Sequence, residues 1–411
     1  MGRKMNAGHS FCTERFAANR FPHFRRTTTM RLLAALFFTC VFAAGILLFR
    51  QQVQHGVDLP LHIAFAEQYA AGKGSLPHPA FHLATAWTAC ATGMRVADAA
   101  VLVLALLLTI TAVTVHTLLR WFLKDVCGAG ALLLLTAALM VTSALYAPFF
   151  NPHMYLGQSS PNIWHNPTVI MVKPFALVCT TLVVAFLNDK RLQARVGFYL
   201  GVALLLLLSA FAKPNYVFVL LPAVAVYLLL RHCCDWRLYG KTLLLFLPVL
   251  LVLGYQFTQA FAMRGAPVSR ERDQIILDWF RLWHRWTPSI GVSLLLGLAF
   301  PLSVAACRWR AVLRNDYLVV AWLMTVMGAL QFGLLAEKVK YKHGNFSWGY
   351  GIALTLLFLF TAVEYAKWLR EPGPRSAGEK ARLACASGVF ALHVLTGWFY
   401  FCSVLSGRIR C

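Results

Sequence analysis

Eleven separate stretches of this chain are apolar over lengths close to the thickness of a bilayer core, and that succession leaves few folds open. A helix rising about 1.5 Å per residue needs about 20 apolar residues to cross roughly 30 Å of hydrocarbon. The runs are Arg31 to Leu48, then approximately 97–118, 128–149, 167–187, 195–212, 214–230, 241–262, 289–307, 317–335, 347–365 and 383–405. In lipid every backbone donor and acceptor must be bonded internally, so such runs become helices. Composition agrees, with 59% hydrophobic and only 13% charged residues, about half the charged share of a soluble domain. The expected class is an all-α, polytopic integral membrane protein with about eleven transmembrane helices.

The formal net charge is +23. On a soluble domain that excess would suggest nucleic acid. Here Lys and Arg lie mainly in short loops between apolar runs, so the excess reads as topology and contact with anionic lipid, with no nucleic-acid partner. The segment 79–93 (PAFHLATAWTACATG) is short for a span. If it does not cross, the loops around Lys124, Lys190, Arg191, Arg195, Arg231, Arg237, Lys241, Arg308, Arg310, Arg314, Lys367, Arg370, Lys380 and Arg382 share one side with the basic N-terminus. If it crosses, all of them move to the other side. The positive-inside rule favours the first arrangement. Segment 1–30 is then a basic cytoplasmic arm carrying Arg3, Lys4, Arg15, Arg20, Arg25 and Arg26 against Glu14. Residues 31–405 form a single transmembrane domain, with outer loops 50–96, 150–167, 263–288 and 336–347, a tight Lys213-Pro214-Asn215 turn and a short outer tail, 406–411. A bacterial inner membrane is the expected location, with the C-terminus outside. The eleven Cys include no C-x-x-C pair and mostly sit in apolar runs, so neither a disulfide framework nor a zinc site is expected.

The polar residues that could do chemistry gather on the outer side. In GVDLPLHIAFAEQYAAGKG, Asp58 before Leu59-Pro60 suits a helix start as an N-cap, and Gly72 and Gly74 suit its stop. Leu61, Ile63, Phe65, Ala66 and Tyr69 make that helix amphipathic, as for one lying on a membrane surface. Asp58 and His62, four residues apart, share a face, as do His78 and His82 on the next short helix. Asp58 is either a cap or a catalytic carboxylate, with His62 and Glu67 as further catalytic candidates. Asp58 with His62, His78 and His82 could alternatively hold a divalent ion.

The second outer loop, FFNPHMYLGQSSPNIWHNPTVIMVKPFAL, joins rings (Tyr155, Trp164, His153, His165) to amides (Gln158, Asn162, Asn166). Stacking rings beside amide donors suit a sugar or a polar head group, the alternative being an interfacial aromatic belt. Lys173, about six residues inside the next run, faces a phosphate or snorkels outward. Lys213 is held at the outer surface by its tight turn. Lys338, Lys340, Lys342 and His343, against Glu337, put cations where topology disfavours them. Arg264, Arg270, Arg272, Arg281 and Arg285 do the same, offset by Glu271, Asp273 and Asp278. A lipid phosphate or pyrophosphate would account for them; a solvated or lipid-contacting surface is the alternative.

A long first outer loop bearing an acid and two juxtamembrane helices (58–72 and 79–93) resembles the GT-C superfamily of membrane glycosyltransferases. The stretch DLPLHIAFAEQYAAGKG carries most of the likeness, over the first half of the chain. The sequence departs from the paired acids common in that family, since Leu59 follows Asp58, and no soluble C-terminal domain follows the spans. The resemblance implies transfer of a sugar from a polyprenyl-phosphate donor in the membrane to a glycan, lipid or protein acceptor. Asp58 would act as general base or position magnesium or manganese. Lys173, Lys213 and Lys338–Lys342 would hold the departing phosphate, and Asn162, Trp164, His165 and Asn166 the sugar or acceptor. The competing readings are a polysaccharide polymerase or ligase acting on lipid-pyrophosphate glycans, relying on Arg instead of a loop carboxylate, and a transporter or flippase with its polar groups near the midplane. A non-catalytic membrane scaffold is the remaining one.

Overall fold

The apolar runs form helices that run back and forth between two polar ends. The structure, a computed structural model, describes residues 28–262 and 273–408. Most of the basic N-terminal arm, with Arg264, Arg270, Glu271 and Arg272 and the last three residues of the tail, lies outside the described residues. In chain order come α1 (Thr28–His55), the short α2 (Asp58–Ala70) and α3 (Ala80–Thr92), α4 (Val96–Leu123), α5 (Ala129–Val141), α6 (Pro167–Asn188), the single turn α7 (Lys190–Gln193), α8 (Val196–Ala212) and α9 (Asn215–Arg231). Then follow α10 (Trp236–Phe257), β1 (Ile275–Leu277), α11 (Arg281–Trp286), α12 (Ile290–Arg314), α13 (Asp316–Leu334), β2 (Leu335–Glu337), α14 (Ser347–Leu369) and α15 (Ala377–Leu405). Among the described residues eight helices are long and apolar enough to cross a membrane. The shorter apolar helices α5, α8 and α9 have 13, 17 and 17 residues. The protein is an all-α polytopic membrane protein.

Helix starts follow capping chemistry. Asn166, Asp235, Ser289, Asn315 and Ser376 each accept a backbone N–H in the first turn of the helix they precede, satisfying donors that a helix leaves orphaned. Helix α14 is buried on nearly every side and forms the centre of the bundle, as expected of a helix apolar all round. Small residues let its neighbours close on it. A Cβ on Gly328 of α13 would stand 2.7 Å from the Tyr350 Cα of α14.

Contacts between distant segments define the two ends. At one end Arg308 pairs with Glu371 and Glu364, Arg231 with Asp316, and Tyr227 with Asn188. The other, the site end, joins α2, the N-terminus of α6 and the α8–α9 turn through Asp58, Asn166 and Lys213. There Gln256 of α10 donates to the Pro77 and Ala210 carbonyls. The segment expected to be too short for a span is α3, which lies against α2 at this end through a His62–His82 hydrogen bond. The segments expected as outer loops 263–288 and 336–347 are sewn together: β1 and β2 pair antiparallel, with Ile275 opposite Glu337 and Leu277 opposite Leu335.

One expected span is interrupted. The apolar run 128–149 is helical only to Val141, and the backbone then turns extended at Thr142. Such a break is tolerated at membrane depth when protein satisfies the freed groups. Asn162 Nδ2 donates to the Leu139 and Thr142 carbonyls at 2.8 and 2.9 Å. The Ser143 N–H donates to the His393 carbonyl, while the Ser143 carbonyl meets the His393 ring. Gly397 of α15 makes the approach possible, because a Cβ there would overlap the Val141 carbonyl oxygen. Gly397→Ala is therefore expected to destabilise the protein by about 3 kcal/mol, at the upper end of overpacking costs, visible as a fall in melting temperature of the purified protein.

Candidate functional site

The site is built around Asn166. It caps α6, so its Oδ1 accepts from the Val169 N–H at 3.1 Å, and also from Thr168 Oγ1 at 2.8 Å and Lys213 Nζ at 3.4 Å. These three donors fix the acceptor end of the amide. Its Nδ2 is left to face Asp58 Oδ2, to which it donates at 3.1 Å. One side chain thus connects a helix start, a lysine and a carboxylate.

Asp58 does not cap α2, contrary to expectation. Val57 holds the cap position, without a side-chain cap bond, and Asp58 is the first helical residue. Displaced one position inward, its carboxylate is not spent on the helix backbone. It meets Asn166 instead, lies 4.0 Å from His165 Nε2 and keeps a side chain 32% exposed. Pro60 still falls in the first turn, where no N–H is needed. Gly72 stops the helix as expected, with φ of +71°.

Lys213 ends α8, where the tight turn to α9 fixes it. It is only 5% exposed. Its ammonium donates to Thr168 Oγ1 at 2.8 Å and stands 5.1 Å from the Trp348 ring centre. Among the described residues no carboxylate comes within 4.0 Å of it. Burial pushes its pKa down to about 7, opposed by the nearby charges of Asp58 and Glu337.

This cation adds to what burial does to the histidines around it. His165 packs on Tyr155 and Trp348, with ring centres 4.7 and 5.8 Å apart. Burial lowers its pKa to about 4; Asp58 raises it and Lys213 lowers it further. His62 Nδ1 and His82 Nε2 are hydrogen-bonded at 2.8 Å with their rings stacked, and Tyr69 stacks on the far side of His82. Burial lowers all three histidines of this hairpin, His78 to about 3 and His82 to about 4, and Lys213 adds to each. At neutral pH these rings are uncharged hydrogen-bonding groups. A metal site does not fit them: His62 and His82 bond to each other, Asp58 bonds to Asn166, and among the described residues no three His, Cys, Asp or Glu could hold a metal ion together.

Of the residues expected from sequence, Asp58, His62, Tyr155, His165, Asn166 and Lys213 come together here. Glu67 does not. Nine residues are about two and a half helical turns, which sets it on the opposite, exposed face of α2. Asn162, Trp164 and Lys173 belong to the interior. Lys173 is buried and donates to Asn162 Oδ1 at 3.1 Å beside the Trp164 ring, so it supports the amide that closes the end of α5. Gln158 is also structural, donating to the His153 and Met154 carbonyls and accepting from Asn151. Lys338, Lys342 and His343 are exposed on the loop before α14, whereas Lys340 is half-buried and close enough to His78 to depress its pKa. Asn162→Leu is expected to cost about 2–4 kcal/mol, since it strands two buried carbonyls and the Lys173 ammonium; thermal unfolding would show it.

Thr168, Trp348 and Glu337 are site residues that sequence reasoning missed in this role. Thr168 had a local signal, since it sits two residues after a capping Asn, within reach of the same amide. Trp348 had none, because it comes from the start of α14, far along the chain. Glu337 is drawn in by β2, where Asn345 Nδ2 donates to it at 2.5 Å; burial raises its pKa.

No family model matches the sequence, and no curated protein matches it.

Proposed function

We propose that the protein transfers a sugar from a polyprenyl-phosphate donor to a hydroxyl acceptor (a glycan, lipid or protein) at the non-cytoplasmic face, in the manner of GT-C glycosyltransferases. One observation carries this reading: a buried ammonium without a bonded counter-ion and a part-exposed carboxylate are oriented by the two ends of one amide, Asn166. A cation in need of an anion suits the donor phosphate, and a part-exposed carboxylate suits the removal of a proton.

The acceptor oxygen attacks the anomeric carbon as the bond from that carbon to the phosphate oxygen breaks. Asp58 takes the hydroxyl proton and later releases it to water. The phosphate leaves with the bonding electron pair and is held by Lys213, which turns from Thr168 towards it. Asn166 keeps Asp58 in place, and His165 adds a neutral donor beside it. Tyr155 and Trp348, packed on His165, form an aromatic wall suited to a sugar ring. The basic loops at the far end favour a cytoplasmic placement of that end, in a bacterial inner membrane by preference. The test offers the purified full chain a panel of radiolabelled polyprenyl-phosphate sugars with hydroxyl acceptors. Formation of a glycosylated acceptor and free polyprenyl phosphate supports the reading; a panel that stays intact in lipid contradicts it.

A further inference from the structure

Beside the site, the platform formed by β1, β2 and α11 presents a face that the bundle does not cover. Ile275 and Leu277 alternate along β1, which puts them on one side of the ribbon, and Trp279 follows in the turn after the strand. They are 40%, 61% and 63% exposed. Trp279 is held outward by a constrained backbone, since it and Phe280 both have positive φ, +47° and +65°. Phe280 is the inward member of the pair: its N–H donates to the Gly333 carbonyl and its ring occupies the space where a Cβ of Gly333 would stand. The backbone therefore turns one ring out and the next ring in.

Charge on the platform is segregated in the same way. Asp273 and Asp278 are buried and spent on the loop itself. Asp273 accepts from the Gln274 and Val339 N–H groups, and Asp278 from the Leu282 N–H and the Tyr341 hydroxyl. Glu337 is half-buried and bonded to Asn345. Of the acids that offset the cations in the sequence, Asp273 and Asp278 are thus turned inward, and Glu337, opposite Ile275 on the ribbon, is spent on Asn345. Arg281, Arg285, Lys338 and Lys342 are exposed.

We infer that this platform is a membrane-surface anchor: the Ile275–Leu277–Trp279 ridge dips into the acyl boundary of an anionic leaflet while the surrounding Arg and Lys hold its phosphates. An apolar ridge with an outward Trp, fringed by cations, is the composition that binds at that depth. In a protein already fixed in a bilayer the occupant within reach is lipid. Ile275 faces Glu337 across the ribbon, so the anchor would hold the rim of the site at head-group level. The inference does not depend on the sugar-transfer reading.

The test places the photocrosslinking residue p-benzoylphenylalanine at Leu277 or, separately, at Trp279 of the full chain. Each variant is reconstituted in nanodiscs of phosphatidylcholine alone or mixed equally with phosphatidylglycerol. Leu251, exposed on α10, is the lipid-facing control. Lipid adducts are expected at both platform positions. Changing Arg281, Arg285, Lys338 and Lys342 together to Gln should lower the adduct yield at least about threefold in the anionic discs and leave the neutral discs unchanged. Two outcomes would overturn the inference: no lipid adduct at either position while Leu251 is labelled, or adducts only to a second copy of the chain.

Discussion

Asp58→Asn is expected to lower sugar transfer by about a thousandfold, within the range for loss of a general base, with little change in melting temperature. The substituted amide has the shape of the carboxylate and can still accept from Asn166 Nδ2, so the hydrogen bond that fixes it survives. What is lost is the ability to take a proton. Glu67→Gln, on the exposed face of the same helix, should leave transfer unchanged. Both are read by initial rates of acceptor glycosylation from a polyprenyl-phosphate sugar. A fully active Asp58→Asn would sink the carboxylate role and favour a polymerase or ligase that holds pyrophosphate with cations alone.

Lys213→Met should also abolish most transfer, by about a hundredfold or more if the ammonium stabilises the leaving phosphate. Its effect on stability should run the other way. Met fills a similar volume, Thr168 keeps its bond to Asn166, and the desolvation cost of a buried charge disappears. Replacing a buried charge by a well-packed apolar side chain is often neutral or stabilising. A melting temperature unchanged or raised, together with lost transfer, is the expected pair of results.

The same lysine predicts opposite pH trends for stability and for binding. Its folded pKa of about 7 lies below the ordinary 10.5. Between those values the unfolded chain binds more protons than the folded one, so this group makes stability rise with pH across that window. Its penalty is fully present below about pH 7. Phosphate binding needs the protonated form, so affinity for polyprenyl phosphate should fall about tenfold per unit above pH 7. Lys213→Arg, always charged, should lose that fall. Titration of binding and of melting temperature on the same samples checks both signs.

Much of the bundle was legible because a bilayer imposes one length and one bonding solution on each apolar run. The runs that became α6 and α13 were read to within a residue, those that became α4, α12, α14 and α15 fell four to seven residues short at one end, and the basic loops gathered at one end. The break in α5 was hidden because Thr142, Ser143 and Ala144 continue an apolar run. Only Asn162 and His393, brought in by other segments, make an extended backbone affordable there.

In the site, Asp58, Asn166 and Lys213 were each marked by local chemistry: an acid at a helix start, an amide among the rings of a loop, a lysine in a turn too short to be a loop. Their mutual contact was not legible, because it depends on how α2, α6 and α8 pack. Lys173 shows the reverse error. Its depth in a span was real, but depth alone does not say which way an ammonium turns, and it turns to Asn162. Glu67 could have been set aside by helical arithmetic.

The most direct measurement is a density map of the full chain with polyprenyl phosphate bound. The account predicts the phosphate within hydrogen-bonding distance of Lys213 Nζ, beside the Asp58 carboxylate and near the Trp348 ring. A phosphate seated on the exposed Lys338 and Lys342, or next to Lys173, with Lys213 still bonded to Thr168, would contradict it.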